Sequence, residues 1–174
     1  MSKINHPLTS IRGIVFDVDG VLSPATVPMD ENGMPMRMAN LHDGYALQLA
    51  VKCGLKIAII SGATSEAIRH RFNMLGITDI YLGASEKLPI LTGWLEENGL
   101  HPDEIAYVGD DIPDVPSMKA VSLAVAPADA AIEARQTATY VTAAAGGYGV
   151  ARELIEQILR ARGSWMSDAM AYGW

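Results

Sequence analysis

Six short apolar runs rich in β-branched residues recur along this chain of 174 residues, and segments with helical spacing separate most of them. This alternation is typical of a parallel β-sheet that is covered by helices. We predict strands at 13–16, 56–60, 79–82, 104–108, 121–125 and 138–141. We predict helices at 44–53, 66–75, 88–98 and 150–162, the first two ending before a glycine. The pattern therefore indicates an α/β fold, a Rossmann-like three-layer sandwich with a mainly parallel sheet.

One segment, at about 24–41, interrupts the alternation because it has no helical period and carries a turn sequence at 30–33. We predict a β-hairpin that protrudes from a single domain spanning 1–162, followed by a C-terminal tail at 163–174. The intervals along the chain are too short for an inserted cap domain. A protruding hairpin would expose apolar side chains, namely Val27, Met29, Met34, Met36 and Met38.

The net charge of −7 argues against nucleic acid or an anionic membrane surface as a partner, since both attract basic patches. The chain has one cysteine and no signal-peptide pattern, which favours a reducing cytoplasm. It also lacks an apolar run of the roughly 18 residues that a membrane-spanning helix needs. We therefore expect a cytoplasmic protein with a small-molecule ligand.

Polar side chains follow four predicted strands, at the ends where ligands gather in an open parallel sheet. Asp17 and Asp19 follow the first strand, Ser61 the second, Lys87 the third and Asp110 the fourth. Taken singly, each has an ordinary structural explanation: a solvated turn, a helix cap, a surface lysine or a helix N-terminal acid. Because they recur at one predicted edge, we expect them to form one site.

The order of "DVDGV", "SGA", Lys87 and "GDDIPD" resembles the haloacid dehalogenase superfamily of phosphohydrolases over nearly the whole chain. More narrowly, "NLHDGYALQLAVKCG", "IRHRFNMLGI" and "AGGYGVARE" resemble the family of 3-deoxy-D-manno-octulosonate 8-phosphate (KDO 8-phosphate) phosphatases. This resemblance implies magnesium-dependent hydrolysis of a sugar-acid phosphate through an aspartyl-phosphate. It also implies a homotetramer in which a neighbouring subunit covers the active site.

The resemblance assigns the attack on phosphorus to Asp17 and the acid and base roles to Asp19. Mg²⁺ prefers oxygen ligands, and the Asp17 carboxylate, the Asp19 carbonyl and the Asp110 carboxylate would supply them. Ser61 and Lys87 would bind the phosphoryl oxygens. A carboxyl acid at position 19 favours ester chemistry over carbon–halogen hydrolysis, because a halide needs no proton to leave.

Further positions are carried over from the same resemblance. Asp111 or Asp114 would hold metal-bound water or Lys87. The sugar-acid pocket would be lined by Asn40, Asp43, Gly44 and Arg71. The chain departs from the family at four positions where better-known members have arginine, namely His42, Gln48, Ala63 and Tyr148. These departures reduce the number of cations that could select the acid.

Three other interpretations compete with this one. A phosphatase of nine-carbon sialic-type acid 9-phosphates is disfavoured because we would expect glutamate at Ala63. A non-catalytic assembly module with this fold is disfavoured by the intact acidic and basic motifs. A signalling receiver domain would place its acidic pair before the phosphorylated aspartate, whereas here the candidate nucleophile comes first in the chain.

Overall fold

A single sheet of six parallel strands forms the centre of the fold in the computed structural model, which describes residues 3–167 and 169–173. The strands are β1 (Gly13–Phe16), β2 (Lys56–Ile60), β3 (Asp79–Tyr81), β4 (Ile105–Val108), β5 (Leu123–Ala126) and β6 (Tyr140–Val141). Their order across the sheet is β3-β2-β1-β4-β5-β6, and every pairing between named strands is parallel. The predicted fold class is confirmed, with each predicted strand present within two residues of its predicted bounds.

Six α-helices occur in the described part of the chain: α1 (Leu41–Lys52), α2 (Glu66–Asn73), α3 (Lys87–Asn98), α4 (Val115–Lys119), α5 (Ile132–Thr137) and α6 (Val150–Ala161). Helix α1 starts three residues earlier than predicted because the Asn40 side chain accepts hydrogen bonds from the backbone N–H groups of His42 and Asp43. The sequence analysis missed α4 and α5. They have only five and six residues, too few to show a helical period.

Alternating side chains along each strand fill two separate cores. In β1, Ile14 and Phe16 belong to the core beneath α1, α2 and α6, whereas Val15 belongs to the core beneath α3, α4 and α5. Residues two apart in a strand point to the same face, so buried strands need apolar residues at every position. The result is a three-layer sandwich that leaves the ends of the strands as the place for polar groups.

Register brings the polar strand ends together. Phe16, the last residue of β1, pairs with Ile59 of β2 and with Val108 of β4. The carboxyl ends of the three adjacent strands β2, β1 and β4 therefore lie at nearly the same height along the sheet. Asp17 is still tied to this edge by its backbone N–H, which donates a 3.0 Å hydrogen bond to the carbonyl of Val108.

The segment at 24–40 forms a turn closed by a single antiparallel bridge between Met29 and Pro35. The Asp30 carboxylate accepts hydrogen bonds from the backbone N–H groups of Asn32 and Met34, which fixes the tip of the turn. Regular strands do not form on either side of it in the described residues. Val27, which was also expected to be exposed, is half-buried. The methionines are exposed, as expected: Met29, Met34, Met36 and Met38.

The C-terminal tail packs on the helical face formed by α1 and α6. Trp165 is buried, with the guanidinium of Arg152 4.5 Å from its ring centre and Tyr45 in an edge-to-face contact at 6.3 Å. Tyr172 is largely exposed, and Trp174 lies outside the described residues. Among the described residues, no helix combines the length and the apolar character that crossing a membrane would require.

Candidate active site

Lys87 joins two carboxylates at the carboxyl edge of the sheet. Its Nζ lies 2.9 Å from Asp17 Oδ2 and 2.7 Å from Asp114 Oδ1, and all three side chains are buried. Asp17 comes directly after β1, Lys87 is the first residue of α3, and Asp114 precedes α4. The structure therefore brings together residues that the sequence places nearly 100 positions apart.

Asp114 is the most heavily hydrogen-bonded acid in this group. Its Oδ1 also accepts a 2.9 Å hydrogen bond from the Tyr107 hydroxyl, and its Oδ2 accepts 3.1 Å and 3.4 Å hydrogen bonds from the backbone N–H groups of Asp110 and Asp111. The exposed Asp111 side chain caps the following turn by accepting from Ile112 N. Of the two acids predicted to hold metal-bound water or Lys87, Asp114 is therefore the one that contacts the lysine.

Asp17, Asp110 and Asp114 each place a carboxylate oxygen within 4.8 Å of those of the other two. Burial, and then the neighbouring carboxylate of Asp114, raise the pKa of Asp17 to about 7 even though Lys87 opposes the shift. Burial, and then Asp17, raise the pKa of Asp110 to about 7. Burial disfavours the charged form of Lys87, but Asp17 and Asp114 outweigh it and raise the pKa of the lysine.

When all three carboxyl groups are ionised, these oxygens carry more negative charge than one lysine neutralises. Three hard oxygen donors at this separation, two of which ionise only with difficulty without a further cation, suit a divalent metal with oxygen ligands such as Mg²⁺. The donor set therefore fits the metal expected from the sequence. The Asp19 side chain is not part of this cluster.

Asp19 points instead to the 24–40 segment. Both of its oxygens accept hydrogen bonds from the Arg37 guanidinium, from Nε to Oδ1 and from Nη2 to Oδ2, each at 2.7 Å. Sequence analysis missed Arg37, because the segment has no periodic pattern that could tell which of its side chains turns inward. It also did not single out Tyr107, which lies in β4 and whose hydroxyl reaches Asp114.

Ser61 follows β2 and is almost fully buried. Its backbone N–H donates to the carbonyl of Tyr81, and its Oγ accepts a 3.2 Å hydrogen bond from Ala63 N. These contacts fix the serine at the carboxyl end of β2, the strand next to β1. Among the residues that the structure describes, the hydroxyl donates no hydrogen bond, so its hydrogen is available to a bound ligand.

A cavity of about 420 Å³ lies between the 24–40 segment, α1 and α2. Its walls include all four residues predicted to line the sugar-acid pocket: Asn40, Asp43, Gly44 and Arg71. Arg71 Nη2 is buried and has no hydrogen-bond partner among the described residues. Burial raises the pKa of Asp43, opposed by the 2.7 Å hydrogen bond from Arg152 N.

Asn40 and Gly44 also have structural roles. The Asn40 side chain caps α1 and donates a 3.1 Å hydrogen bond to the carbonyl of Gly147. Gly44 leaves room for Arg71, because a Cβ at this position would lie 2.4 Å from Arg71 Nη2. The positions at which the chain departs from the family pattern lie outside the described lining of the cavity: His42, Gln48, Ala63 and Tyr148.

Comparison with curated proteins identifies relatives over most of the chain. The 3-deoxy-D-manno-octulosonate 8-phosphate phosphatase KdsC of Escherichia coli K12 is 41% identical over 154 residues, which cover 88% of this chain and 82% of the relative. The chain belongs to the KdsC phosphatase family. The KdsC protein of Salmonella typhi is 40% identical over the same proportions of both chains. A scan against models of known protein families returned no match.

Solved structures of 3-deoxy-D-manno-octulosonate 8-phosphate phosphatases share the fold. The enzyme from Yersinia pestis superimposes with a TM-score of 0.87 at 37% identity, covering 91% of this chain and 85% of that one. The Moraxella catarrhalis enzyme, solved with a magnesium ion, a phosphate ion and KDO, gives a TM-score of 0.87 at 30% identity, covering 95% and 94%. The cobalt-bound Haemophilus influenzae enzyme gives 0.89 at 31% identity, covering 96% and 99%.

Proposed function

We propose that this chain is a magnesium-dependent phosphatase that hydrolyses KDO 8-phosphate to KDO and inorganic phosphate. The observation that carries the proposal is the contact of one buried lysine with Asp17 and Asp114 beside Asp110, at the edge of the sheet where ligands bind. Membership of the KdsC family supports the choice of substrate.

In this proposal Asp17 and Asp110 bind Mg²⁺ through their carboxylates and Asp19 binds it through its carbonyl. The metal, when bound, supplies positive charge that reduces the repulsion between a phosphate ester and an attacking carboxylate. Asp114 holds Lys87 in place through its 2.7 Å contact. Lys87 and the Ser61 hydroxyl bind the phosphoryl oxygens.

The reaction has two steps, and both use the carboxyl groups of the β1 end. An Asp17 oxygen attacks phosphorus, the bond from phosphorus to the sugar oxygen breaks, and Asp19 gives its proton to that oxygen. Water then attacks phosphorus in the aspartyl-phosphate, Asp19 takes the proton from this water, and phosphate leaves. Asp17 returns to its carboxylate form, so that the enzyme is ready for another turnover.

The sugar acid would occupy the cavity beside the 24–40 segment. Arg71 supports this proposal because its Nη2 is buried there without a partner among the described residues, and a substrate carboxylate would supply one. Asn40, Asp43 and Gly44 line the same cavity. The Asp43 carboxylate would accept hydrogen bonds from sugar hydroxyls, the Asn40 amide would accept from or donate to them, and Gly44 would leave space.

The proposal is tested by phosphate release from KDO 8-phosphate with Mg²⁺ and with excess chelator. We expect turnover by the wild type with Mg²⁺, loss with chelator, and no detectable turnover by Asp17→Asn. Asp103→Asn, a change in an exposed aspartate on the surface, serves as the matched control and should retain full activity. Preference for a nine-carbon sialic-type acid 9-phosphate, or no hydrolysis of either ester, would overturn the substrate assignment.

A homotetramer is the second part of the proposal. The 24–40 segment carries four exposed methionines next to the mouth of the cavity, and a second copy of the chain would bury them: Met29, Met34, Met36 and Met38. We expect light scattering at micromolar concentration to give the mass of four chains. A fully active monomer would contradict this assembly.

We place the enzyme in the cytoplasm, a choice that the single cysteine supports.

A further inference from the structure

Arg37 holds the proposed acid–base group through both of its carboxylate oxygens. The two contacts, each 2.7 Å long, form the paired geometry that makes arginine–carboxylate interactions strong and directional. The arginine side chain is mostly buried, at 15% exposure, whereas the Asp19 side chain is 45% exposed. In this arrangement the Asp19 carboxylate is turned toward the 24–40 segment, so it must leave Arg37 before it can serve a leaving oxygen.

Arg37 is also part of the proposed sugar-acid cavity. Arg37 and Arg71 are the two basic side chains among the described residues that line it. One belongs to the 24–40 segment and the other to α2, so the cavity has a cation on two of its walls. A substrate carboxylate has two oxygens and accepts hydrogen bonds from more than one donor. It can therefore bind Arg71 and compete with Asp19 for Arg37.

We propose that Arg37 is a positioning and specificity residue. The carboxylate of the sugar acid takes the guanidinium, and the released Asp19 carboxylate takes up a proton from solvent and turns to the reacting ester, to which it gives that proton. The inference rests on the proposed function, because it needs a substrate that carries both a carboxylate and a phosphate. It links recognition of the acid to the chemistry. A phosphate ester without a carboxylate leaves Arg37 on Asp19 and is hydrolysed slowly even when it binds.

Stability does not explain the pair. An ion pair in which one partner is nearly half exposed contributes little to folding. The 24–40 segment has its own backbone contacts, including the hydrogen bond from Met38 N to Ser23 Oγ at 3.1 Å and that from Met36 N to the carbonyl of Pro28 at 2.8 Å. Replacement of Arg37 should therefore leave the fold intact.

The test compares wild type with Arg37→Met on three esters. KDO 8-phosphate has the carboxylate, glucose 6-phosphate has a similar primary-alcohol leaving group without it, and 4-nitrophenyl phosphate has a leaving group that needs no proton. For the variant we expect kcat/KM on KDO 8-phosphate to fall about 30-fold. We expect kcat on glucose 6-phosphate to stay the same or rise, and 4-nitrophenyl phosphate turnover to stay within about threefold.

Two further variants complete the experiment. Arg37→Lys keeps the charge but cannot form the paired contact, so it should restore only part of the loss on KDO 8-phosphate. Arg12→Met removes an arginine that pairs with Glu104 at the opposite edge of the sheet, and it should behave as wild type. Equal losses on KDO 8-phosphate and glucose 6-phosphate, or no loss on the former, would overturn the inference. Failure of the wild type itself on KDO 8-phosphate would instead overturn the proposed function.

Discussion

Lys87 Nζ donates a 2.7 Å hydrogen bond to Asp114 Oδ1, and this contact sets the direction in which the lysine presents its charge. The same Nζ lies 2.9 Å from Asp17 Oδ2. Asp114 is itself fixed by the Tyr107 hydroxyl and by backbone N–H groups. The ammonium is therefore preorganised beside the proposed nucleophile, and little reorganisation is needed when charge develops on the phosphoryl group.

Replacing Lys87 with methionine tests this arrangement. We expect Lys87→Met to lower kcat for KDO 8-phosphate at least about 100-fold, because a preorganised cation at the phosphoryl group is lost. Circular dichroism and kinetics with saturating Mg²⁺ would measure fold and activity together. Lys119→Met changes an exposed lysine in α4 and should keep full activity. A folded Lys87→Met protein with near-normal kcat would contradict the role of the lysine.

The buried acids predict a pH-dependent effect of metal on stability. In the metal-free protein the pKa values of Asp17 and Asp110 are raised from 3.8 to about 7, so the folded state holds protons that the unfolded state has lost. The free energy of unfolding should therefore fall as the pH rises from about 4 to about 7, between the unfolded and folded pKa values. Mg²⁺ binds the ionised carboxylates and should restore the loss.

Thermal melting with chelator and with Mg²⁺ would measure this effect at about pH 5 and about pH 8. We expect Mg²⁺ to raise the melting temperature more at the higher pH. The variant Asp110→Asn removes one of the two titrating groups and should show a flatter pH dependence without metal. Equal stabilisation by Mg²⁺ at both pH values would show that these carboxylates do not bind it.

Gly44→Ala separates helix stability from substrate binding. Alanine has a higher helix propensity than glycine, so the substitution should not make α1 less stable. The new Cβ, however, would lie 2.4 Å from Arg71 Nη2 and would push the flexible guanidinium aside. We expect KM for KDO 8-phosphate to rise about tenfold through loss of one charged hydrogen bond, while 4-nitrophenyl phosphate turnover is unchanged. An unchanged KM for KDO 8-phosphate would contradict the proposal that Arg71 binds the substrate carboxylate.

Two glycines outside the cavity should respond to alanine in opposite directions. A Cβ at Gly146 would lie 2.0 Å from the carbonyl oxygen of Gly20, and backbone cannot move aside as a side chain does. Gly146→Ala should therefore lower the free energy of unfolding by about 1–3 kcal/mol. A Cβ at Gly93, within α3, meets nothing within 4 Å. Gly93→Ala should raise it by about 0.5–1 kcal/mol.

Chemical denaturation of the two glycine variants beside the wild type would test this pair. Kinetics would add a second difference. Gly20 lies in the loop that follows Asp17 and Asp19, so displacement of this loop by Gly146→Ala should also slow phosphate release. The distant Gly93→Ala should leave turnover unchanged. Similar stability for both variants would mean that the loop containing Gly146 does not pack against the loop containing Gly20 as closely as described.

Much of the site could be predicted because strand ends are encoded locally. The apolar run 13–16 fixes where β1 stops, and parallel register then places Asp17 beside the residues that follow β4. Arg37 could not be found in this way. Its contact with Asp19 depends on how a segment without a regular strand folds back, and such a path is set by tertiary contacts rather than by periodicity. The helix α4 was missed for a related reason, since packing stabilises its five residues and Pro116 obscures them.

The division of the fold into an edge of strand ends and a cavity beside it has a consequence for how such enzymes diversify. The groups proposed for phosphate chemistry come from the loops after β1, β2 and β4 and from the start of α3, whereas the cavity walls come mainly from α1, α2 and the 24–40 segment. Substitutions in the second set can exchange one acid for another while the reaction itself is inherited unchanged. Arg37 is the exception, because it lines the cavity and also binds Asp19. A lineage that changes its substrate must therefore also change or replace the contact between Arg37 and Asp19.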